Sequence, residues 1–204
     1  MQTDQLSEHD GPRYSYPIHL FGRLFAKITR WRVTGRVPDN GKMVIIAAPH
    51  TTNWDFVYLM MAAFVFRLKI HWMGKRTLFK PPFGTFMRLL GGIAVDRNQS
   101  GNLVDQLTQE FQQQERLAVA IPPSGTRRKT DYWRSGFYWI AHQAQVPIVC
   151  GYLDYQQREA GLGLSFVPTG DVRADMEKLR DFYREKVAKY PHRSSRIRLR
   201  EEDR

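Results

Sequence analysis

His50 and Asp55 stand five positions apart in APHTTNWDF (47–55), directly after the apolar run Val44-Ile45-Ile46. An imidazole and a carboxylate make a proton-transfer pair. The carboxylate accepts one ring N–H, fixes the tautomer and stabilises the imidazolium, while the other ring nitrogen is left to take a proton. Within one continuous helix that spacing turns the two side chains about 140° apart. They meet only if His50 precedes the helix and its ring folds back over the first turn. Thr52-Asn53-Trp54-Asp55 fits a capping box, with Thr52 as cap and Asp55 at the third helical position, and this arrangement brings the pair within reach. The same residues have a purely structural reading, in which Asp55 only satisfies backbone N–H groups and His50 is incidental.

Two further stretches carry candidate anion ligands. In GGIAVDRN (91–98), Arg97 closely follows a short apolar segment, where a guanidinium can grip a phosphate through paired bonds; the alternative is a surface arginine paired with a carboxylate. In AIPPSGTRR (120–128), an apolar run breaks at two prolines, Gly125 and Thr126 allow close backbone approach, and Arg127-Arg128-Lys129 concentrates positive charge. Backbone N–H groups in such a turn, with adjacent cations, form an anion cradle; the alternative is a basic surface turn. QVPIVCGYLDY (145–155) reads as a buried strand with no chemistry of its own.

Composition narrows the partners. A chain of 204 residues is most naturally one domain with a sizeable core. The single cysteine, Cys150, excludes an intrachain disulfide framework and any multi-cysteine metal site, and implies the cytoplasm. A formal net charge of +11 points to an anionic partner. The longest wholly apolar window, Phe56–Phe66, has 11 residues, short of the roughly 20 that a membrane span needs. Met1–Gly11 is acidic and polar, unlike a signal peptide. Any membrane contact is therefore expected to be peripheral, on the inner face of the cell membrane.

The elements that must position these residues follow from periodicity. After a polar arm (1–15), Tyr16–Arg32 predicts a helix with Leu20, Phe21, Leu24, Phe25, Ile28 and Trp31 on one side. Arg23, Lys27 and Arg30 form a basic stripe along it. Such a helix suits a membrane interface or, equally, a surface helix over the core. Strands are expected at Trp31–Val37, Lys42–Ala48, Ile70–Met73, Ile93–Val95, Leu117–Ile121, Val146–Tyr152 and Leu164–Val167. Helices are expected over about 53–67, in a compact piece ending at Leu90, around Leu103–Phe111, over Gly136–Ala144 and over 173–189. The charged end, 191–204, is expected to fray from Arg193 onward. The alternation predicts a single α/β domain (31–190) with a central mixed sheet flanked by helices, plus the N-terminal amphipathic helix. Sites in such sheets lie beyond strand ends, and His50, Arg97 and Ser124 all follow predicted strands.

Taken together and in order, four segments resemble the phospholipid/glycerol acyltransferase family, which includes the lysophosphatidate acyltransferases. His50-Thr51-Thr52-Asn53-Trp54-Asp55 is similar to its H-x4-D block and Gly92–Arg97 to its second block. Pro123-Ser124-Gly125-Thr126-Arg127 is similar to its P-E-G-T-R block, and Val146-Pro147-Ile148-Val149 to its V-P-I-V block. The likeness covers about residues 31–155. It implies acyl transfer from acyl-CoA or acyl-carrier protein to a hydroxyl of a glycerophosphate or lysophospholipid, with no metal or organic cofactor. His50 would be the general base, oriented by Asp55. Arg97, Arg127 and Lys75 (in GKRTLFKPPFG) would hold the acceptor's phosphate, and Ser124, Gly125 and Thr126 would complete the acceptor site. Backbone N–H groups near Gly125 are candidate oxyanion donors. Ser124 departs from the family's Glu, exchanging an anionic acceptor for a short neutral hydroxyl, which predicts an altered acceptor.

Two other readings compete. A serine hydrolase using Ser124, His50 and Asp55 lacks the G-x-S-x-G elbow that lifts a nucleophile above a sheet. A non-catalytic basic protein binding membranes or nucleic acid lacks an RNP, zinc or helix-turn-helix signature, and no nucleic-acid partner is expected.

Overall fold

The computed structural model describes residues 9–95 and 103–203. Its centre is built from β2 (Lys42–Ala48), β5 (Leu117–Ile121) and β6 (Ile148–Asp154), with every residue of β5 and β6 buried. Strands covered on both faces need apolar side chains at every position, which is why these read as continuous runs rather than alternations. The remaining strands are β1 (Arg32–Gly35), β3 (His71–Lys75), β4 (Gly92–Val95) and β7 (Glu159–Phe166). The seven form one sheet in the order β1-β7-β6-β2-β5-β3-β4. Neighbours run parallel except β6 and β7, which pair antiparallel. The sheet is mixed, as expected.

Helices cover both faces. On one, α1 (Tyr16–Thr29), α2 (Trp54–Val65) and α3 (Gly84–Leu89) share a core with Met43 and Ile45. On the other, α4 (Leu103–Gln113), α5 (Gly136–Ala144) and α6 (Val172–Tyr183) share a core with Val44 and Ile46. One connection fixes where a site can form. β2 and β5 are parallel neighbours with Ile46 opposite Ile121, yet β2 leads into α2 on one face and β5 leads, through its loop, into α5 on the other. The chain parts in two directions at that edge and leaves a crevice beyond the carboxyl ends.

Several expected boundaries move for identifiable reasons. β7 begins at Glu159 rather than Leu164. Its glycines conceal it, because a Cβ at Gly161 would stand 2.4 Å from the Thr34 carbonyl oxygen of β1, so close strand approach there excludes any larger residue. α6 stops at Tyr183 rather than running to residue 189. The charged C-terminal end is not frayed. Leu199 is fully buried, the Trp133 N–H donates to the Arg198 carbonyl at 2.8 Å, and Arg180 pairs with Glu202 at 2.6 Å.

The N-terminal helix divides its residues differently from its periodicity. α1 turns His19, Gly22 and Ala26 inward, with His19 Nδ1 hydrogen-bonded to the Val65 carbonyl at 2.9 Å. Trp31, expected on the apolar side of the helix, lies beyond its end and stacks on Tyr58, ring centroids 4.1 Å apart. Leu20, Phe21, Leu24 and Ile28 remain exposed, Ile28 by 70%. Close packing of α1 on α2 depends on Gly22, where a Cβ would lie 2.6 Å from Phe64 Cβ. Gly22→Ala should therefore lower unfolding free energy by about 1–3 kcal/mol through overpacking, even though alanine improves helix propensity by roughly 1 kcal/mol. Urea denaturation measures this, and an unchanged or higher midpoint would mean that the two helices are not in fixed contact.

Candidate active site

Four strand ends converge on the crevice: β2 delivers His50, β5 delivers Ser124–Lys129, β3 ends at Lys75, and β6 ends just before Tyr155. His50 and Asp55 do meet, with His50 Nδ1 3.2 Å from Asp55 Oδ2. Asp55 is buried, while the His50 side chain keeps 22% exposure. An Nδ1–H donated to the carboxylate leaves Nε2 as the free base.

Local backbone geometry explains how five intervening bonds close this contact. Asp55 lies in the first turn of α2 and reaches back, so that Oδ2 accepts from the Thr51 N–H at 2.6 Å and the Thr52 N–H at 2.9 Å. Half of the expected capping box is thus present. The cap position, however, belongs to Asn53, without a side-chain cap bond, rather than to Thr52. The Thr52 hydroxyl accepts only a long 3.4 Å bond from the Trp54 N–H. The structural and chemical readings of Asp55 coincide, because the bonds that stabilise the helix start also set the carboxylate beneath the ring.

Tyr155, which the sequence does not single out, joins this pair. Its hydroxyl donates to Asp55 Oδ1 at 2.7 Å. Burial first, and then the adjacent Asp55 carboxylate, push the phenol well above its ordinary pKa, so it stays a proton donor to Asp55. The stretch 145–155 therefore contributes a contact to the candidate site, at its last residue. The available signal was position: Tyr155 follows a buried parallel strand at the same edge as His50.

The basic residues gather beside this pair rather than on it. Lys75, Thr126, Arg127, Arg128, Lys129, His192 and Arg193 line an open cavity of about 660 Å³. Arg127 donates to the Asn53 side-chain oxygen, which ties the cavity to the loop bearing His50. Of the predicted acceptor-site residues, Lys75, Thr126 and Arg127 line the cavity and Ser124 and Gly125 do not. The buried Ser124 hydroxyl donates to the Thr126 carbonyl at 2.8 Å. The Gly125 N–H donates to the Pro122 carbonyl at 3.0 Å, so it is committed within its own turn and is not a free oxyanion donor. Arg97 lies outside the described residues. His192 and Arg193 arrive from the charged C-terminal segment, expected to fray from Arg193 onward, and no local pattern marks them. Among the described residues, no cluster of His, Cys, Asp or Glu suits a metal ion.

With this geometry in hand, the relatives are informative. Residues 30–153 match the profile of the family described as Acyltransferase. A 1-acyl-sn-glycerol-3-phosphate acyltransferase from Streptococcus pneumoniae is 31% identical over 122 residues, which cover 57% of this chain and 43% of that protein. The chain thus spans less than half the length of this curated relative. The crystal structure of the 1-acyl-sn-glycerophosphate (LPA) acyltransferase PlsC from Thermotoga maritima superposes with a TM-score of 0.55 at 16% identity, covering 83% of this chain and 75% of that one. At that identity the likeness is one of fold.

The Tyr155 contact can be tested without any assay of turnover. A hydrogen bond to a buried charge, once removed, costs about 1–3 kcal/mol. Tyr155→Phe should lower unfolding free energy by that amount in urea titration, without changing the native far-ultraviolet circular dichroism. A phenylalanine variant as stable as the parent would mean that the phenol does not satisfy Asp55 Oδ1.

Proposed function

Because the chain belongs to the acyltransferase family, we propose that it transfers a fatty acyl group from a thioester donor to a hydroxyl of a glycerophosphate or lysophospholipid. The activity named for the S. pneumoniae relative, acylation of 1-acyl-sn-glycerol-3-phosphate, is the nearest guide to the acceptor. The observation that carries the proposal is the His50–Asp55 pair standing beside a cavity lined almost entirely by cations.

In the proposed reaction the acceptor's phosphate enters the cavity, held by Lys75 and Arg127, with Arg97 as a further ligand. This fixes the acceptor hydroxyl for in-line attack. His50 Nε2 takes the hydroxyl proton as the oxygen bonds to the thioester carbonyl carbon. The carbon–sulfur bond then breaks, the thiolate of the carrier leaves, and the imidazolium returns the proton to it. Asp55, held by Tyr155 and two backbone N–H groups, stabilises the imidazolium between these steps. The donor is acyl-CoA or acyl-carrier protein, and the route uses no metal and no organic cofactor.

The rival serine-hydrolase reading fits the geometry poorly. Ser124 is buried and its hydroxyl is directed at the Thr126 carbonyl, not at an imidazole. The exchange of Glu for Ser therefore acts on the acceptor by removing a charge from the loop rather than by adding a contact inside the cavity.

Delivery of a lipid acceptor calls for a membrane surface. No helix among the described residues is long and apolar enough to cross one. The exposed Leu20, Phe21, Leu24 and Ile28 of α1, flanked by Arg23, Lys27 and Arg30, suit peripheral contact with an anionic leaflet. The inner face of the cell membrane is the proposed location.

His50→Ala should lower turnover by roughly 10²–10⁴-fold, the usual range for loss of a general base, with little change in stability or vesicle binding. Near-normal turnover in that variant would sink the mechanism. For the membrane contact, each lysine or arginine near an anionic surface contributes about 1 kcal/mol. Replacing Arg23, Lys27 and Arg30 by Gln should weaken co-sedimentation with phosphatidylglycerol-containing vesicles and flatten its salt dependence. An unchanged salt slope would show that α1 does not face the lipid.

A further inference from the structure

The C-terminal segment after α6 returns across the crevice as a strap and is fixed on both sides of the cavity. On the His50 side, the Val187 carbonyl accepts from the Tyr155 N–H at 2.9 Å. The Tyr190 N–H donates to the Thr51 hydroxyl at 3.4 Å, and the Lys189 ammonium lies 5.3 Å from the Trp54 ring centroid. On the side of the loop after β5, the Thr130 N–H donates to the Ser195 hydroxyl at 3.1 Å and the Arg196 N–H to the Thr130 carbonyl at 3.1 Å. Between these two moorings the short turn Pro191–Arg193 places His192 and Arg193 in the cavity wall.

The cavity is then overcharged for a single phosphate. Lys75, Arg127, Arg128, Lys129 and Arg193 line it with His192, and among the described residues no carboxylate does. Among the described residues, none of those five cations has an ion-pair partner. Elsewhere among the described residues, Arg32, Arg36, Lys178, Arg180, Arg184 and Arg198 pair with Asp or Glu, while scattered cations such as Arg23, Lys42 and Arg116 do not, so what marks the cavity is the convergence of five unpaired cations on one site. Like charges gathered without a counter-charge repel one another until an anion enters. A phosphomonoester brings only about −1.5 to −2 near neutral pH, which compensates two of the five. Arg127 is tied to Asn53 in the loop bearing His50, and Arg193 comes from the strap and rests over the Tyr190 ring at 4.8 Å.

We propose that the strap completes a second anion subsite, so that the cavity takes a ligand carrying two phosphoryl groups. Lys75 and Arg127 hold the one next to the reacting centre, and His192 and Arg193 hold the other. The assignment of the nearer group rests on the acyltransferase reading, while the existence of the second subsite does not. Two molecules offer this chemistry: an acceptor headgroup with two phosphoryl groups, and the diphosphate of coenzyme A.

The test begins with binding of orthophosphate and pyrophosphate to the full chain by calorimetry. The parent should prefer pyrophosphate by about tenfold or more, the worth of at least one additional charge-assisted bond. His192→Gln with Arg193→Gln should erase most of that preference and change orthophosphate binding much less, whereas Arg193→Lys should retain it. A charge-matched control, Lys42→Gln with Arg116→Gln at the opposite end of the sheet, should leave the preference intact. Equal loss in this control would reduce the effect to general positive charge and overturn the subsite, as would an unchanged preference in the strap variant. The source of the second phosphoryl group follows from steady-state kinetics of the strap variant. A rise confined to the acyl-CoA KM assigns it to the donor, and one confined to the acceptor KM assigns it to the headgroup. A parent chain that prefers pyrophosphate but shows no acyl transfer would retain the subsite and remove the acyltransferase reading alone.

Discussion

A carboxylate taken out of water is costly unless its oxygens are satisfied, with an effective penalty of several kcal/mol per ion. Asp55 meets that requirement with donors from three places in the chain: the Thr51 and Thr52 N–H groups, the His50 ring and the Tyr155 hydroxyl. The backbone donors belong to the turn that starts α2, where the partial positive charge of the helix N-terminus also favours an anion. Tyr155 belongs to the end of β6. The loop after β2, the first turn of α2 and the end of β6 are therefore held in register by one buried side chain. The His50 ring is oriented as a consequence. The fold itself thus sets the imidazole and carboxylate in place, which is the preorganisation that the proposed mechanism requires.

The sheet supplies the rest. β2, β5, β3 and β6 all run parallel, so their carboxyl ends share one edge. The departure of the chain from β2 and from β5 to opposite faces keeps that edge open. Residues far apart in sequence are brought together without any long excursion: the Arg127–Asn53 bond links segments 74 positions apart. Charge is distributed with equal economy. Lys178 and Arg180 of α6 and Arg184 just after it are paired with nearby carboxylates, whereas five cations at the sheet edge have no such partner among the described residues.

How much of this was legible follows from which residues report their own environment. β2, β5 and α5 coincide with their expected ranges, because strands buried on both faces and a compact apolar helix have unambiguous patterns. The His50–Asp55 contact was legible because a cap and a spacing together restrict where one ring can lie. β7 was truncated in the sequence reading, because Gly161 is there to admit the Thr34 backbone and carries no apolar signal. Trp31 is expected within the helix but lies beyond it, since periodicity does not reveal that the chain turns at Arg30 into a left-handed residue (φ 57°) and ends the helix. Tyr155 bonds to a partner in another segment, and nothing within a short window of sequence encodes a partner 100 residues distant.

The strap sharpens that last point, because it lies beyond the segment that matches the family profile, residues 30–153. Ordering a residue costs about 1–2 kcal/mol in backbone entropy alone, so a charged terminal segment remains in place only if specific contacts outweigh that cost. Here they are the full burial of Leu199, the Arg180–Glu202 ion pair, and backbone bonds from Trp133 to Arg198 and from Arg196 to Thr130. None of these contacts lies in the cavity. The segment is thus anchored by one set of residues and presents cations with another, which allows it to serve as a fixed wall rather than a tether. A wall of that kind loses little further side-chain freedom when an anion binds, and this is the condition under which charge-assisted contacts contribute most to affinity.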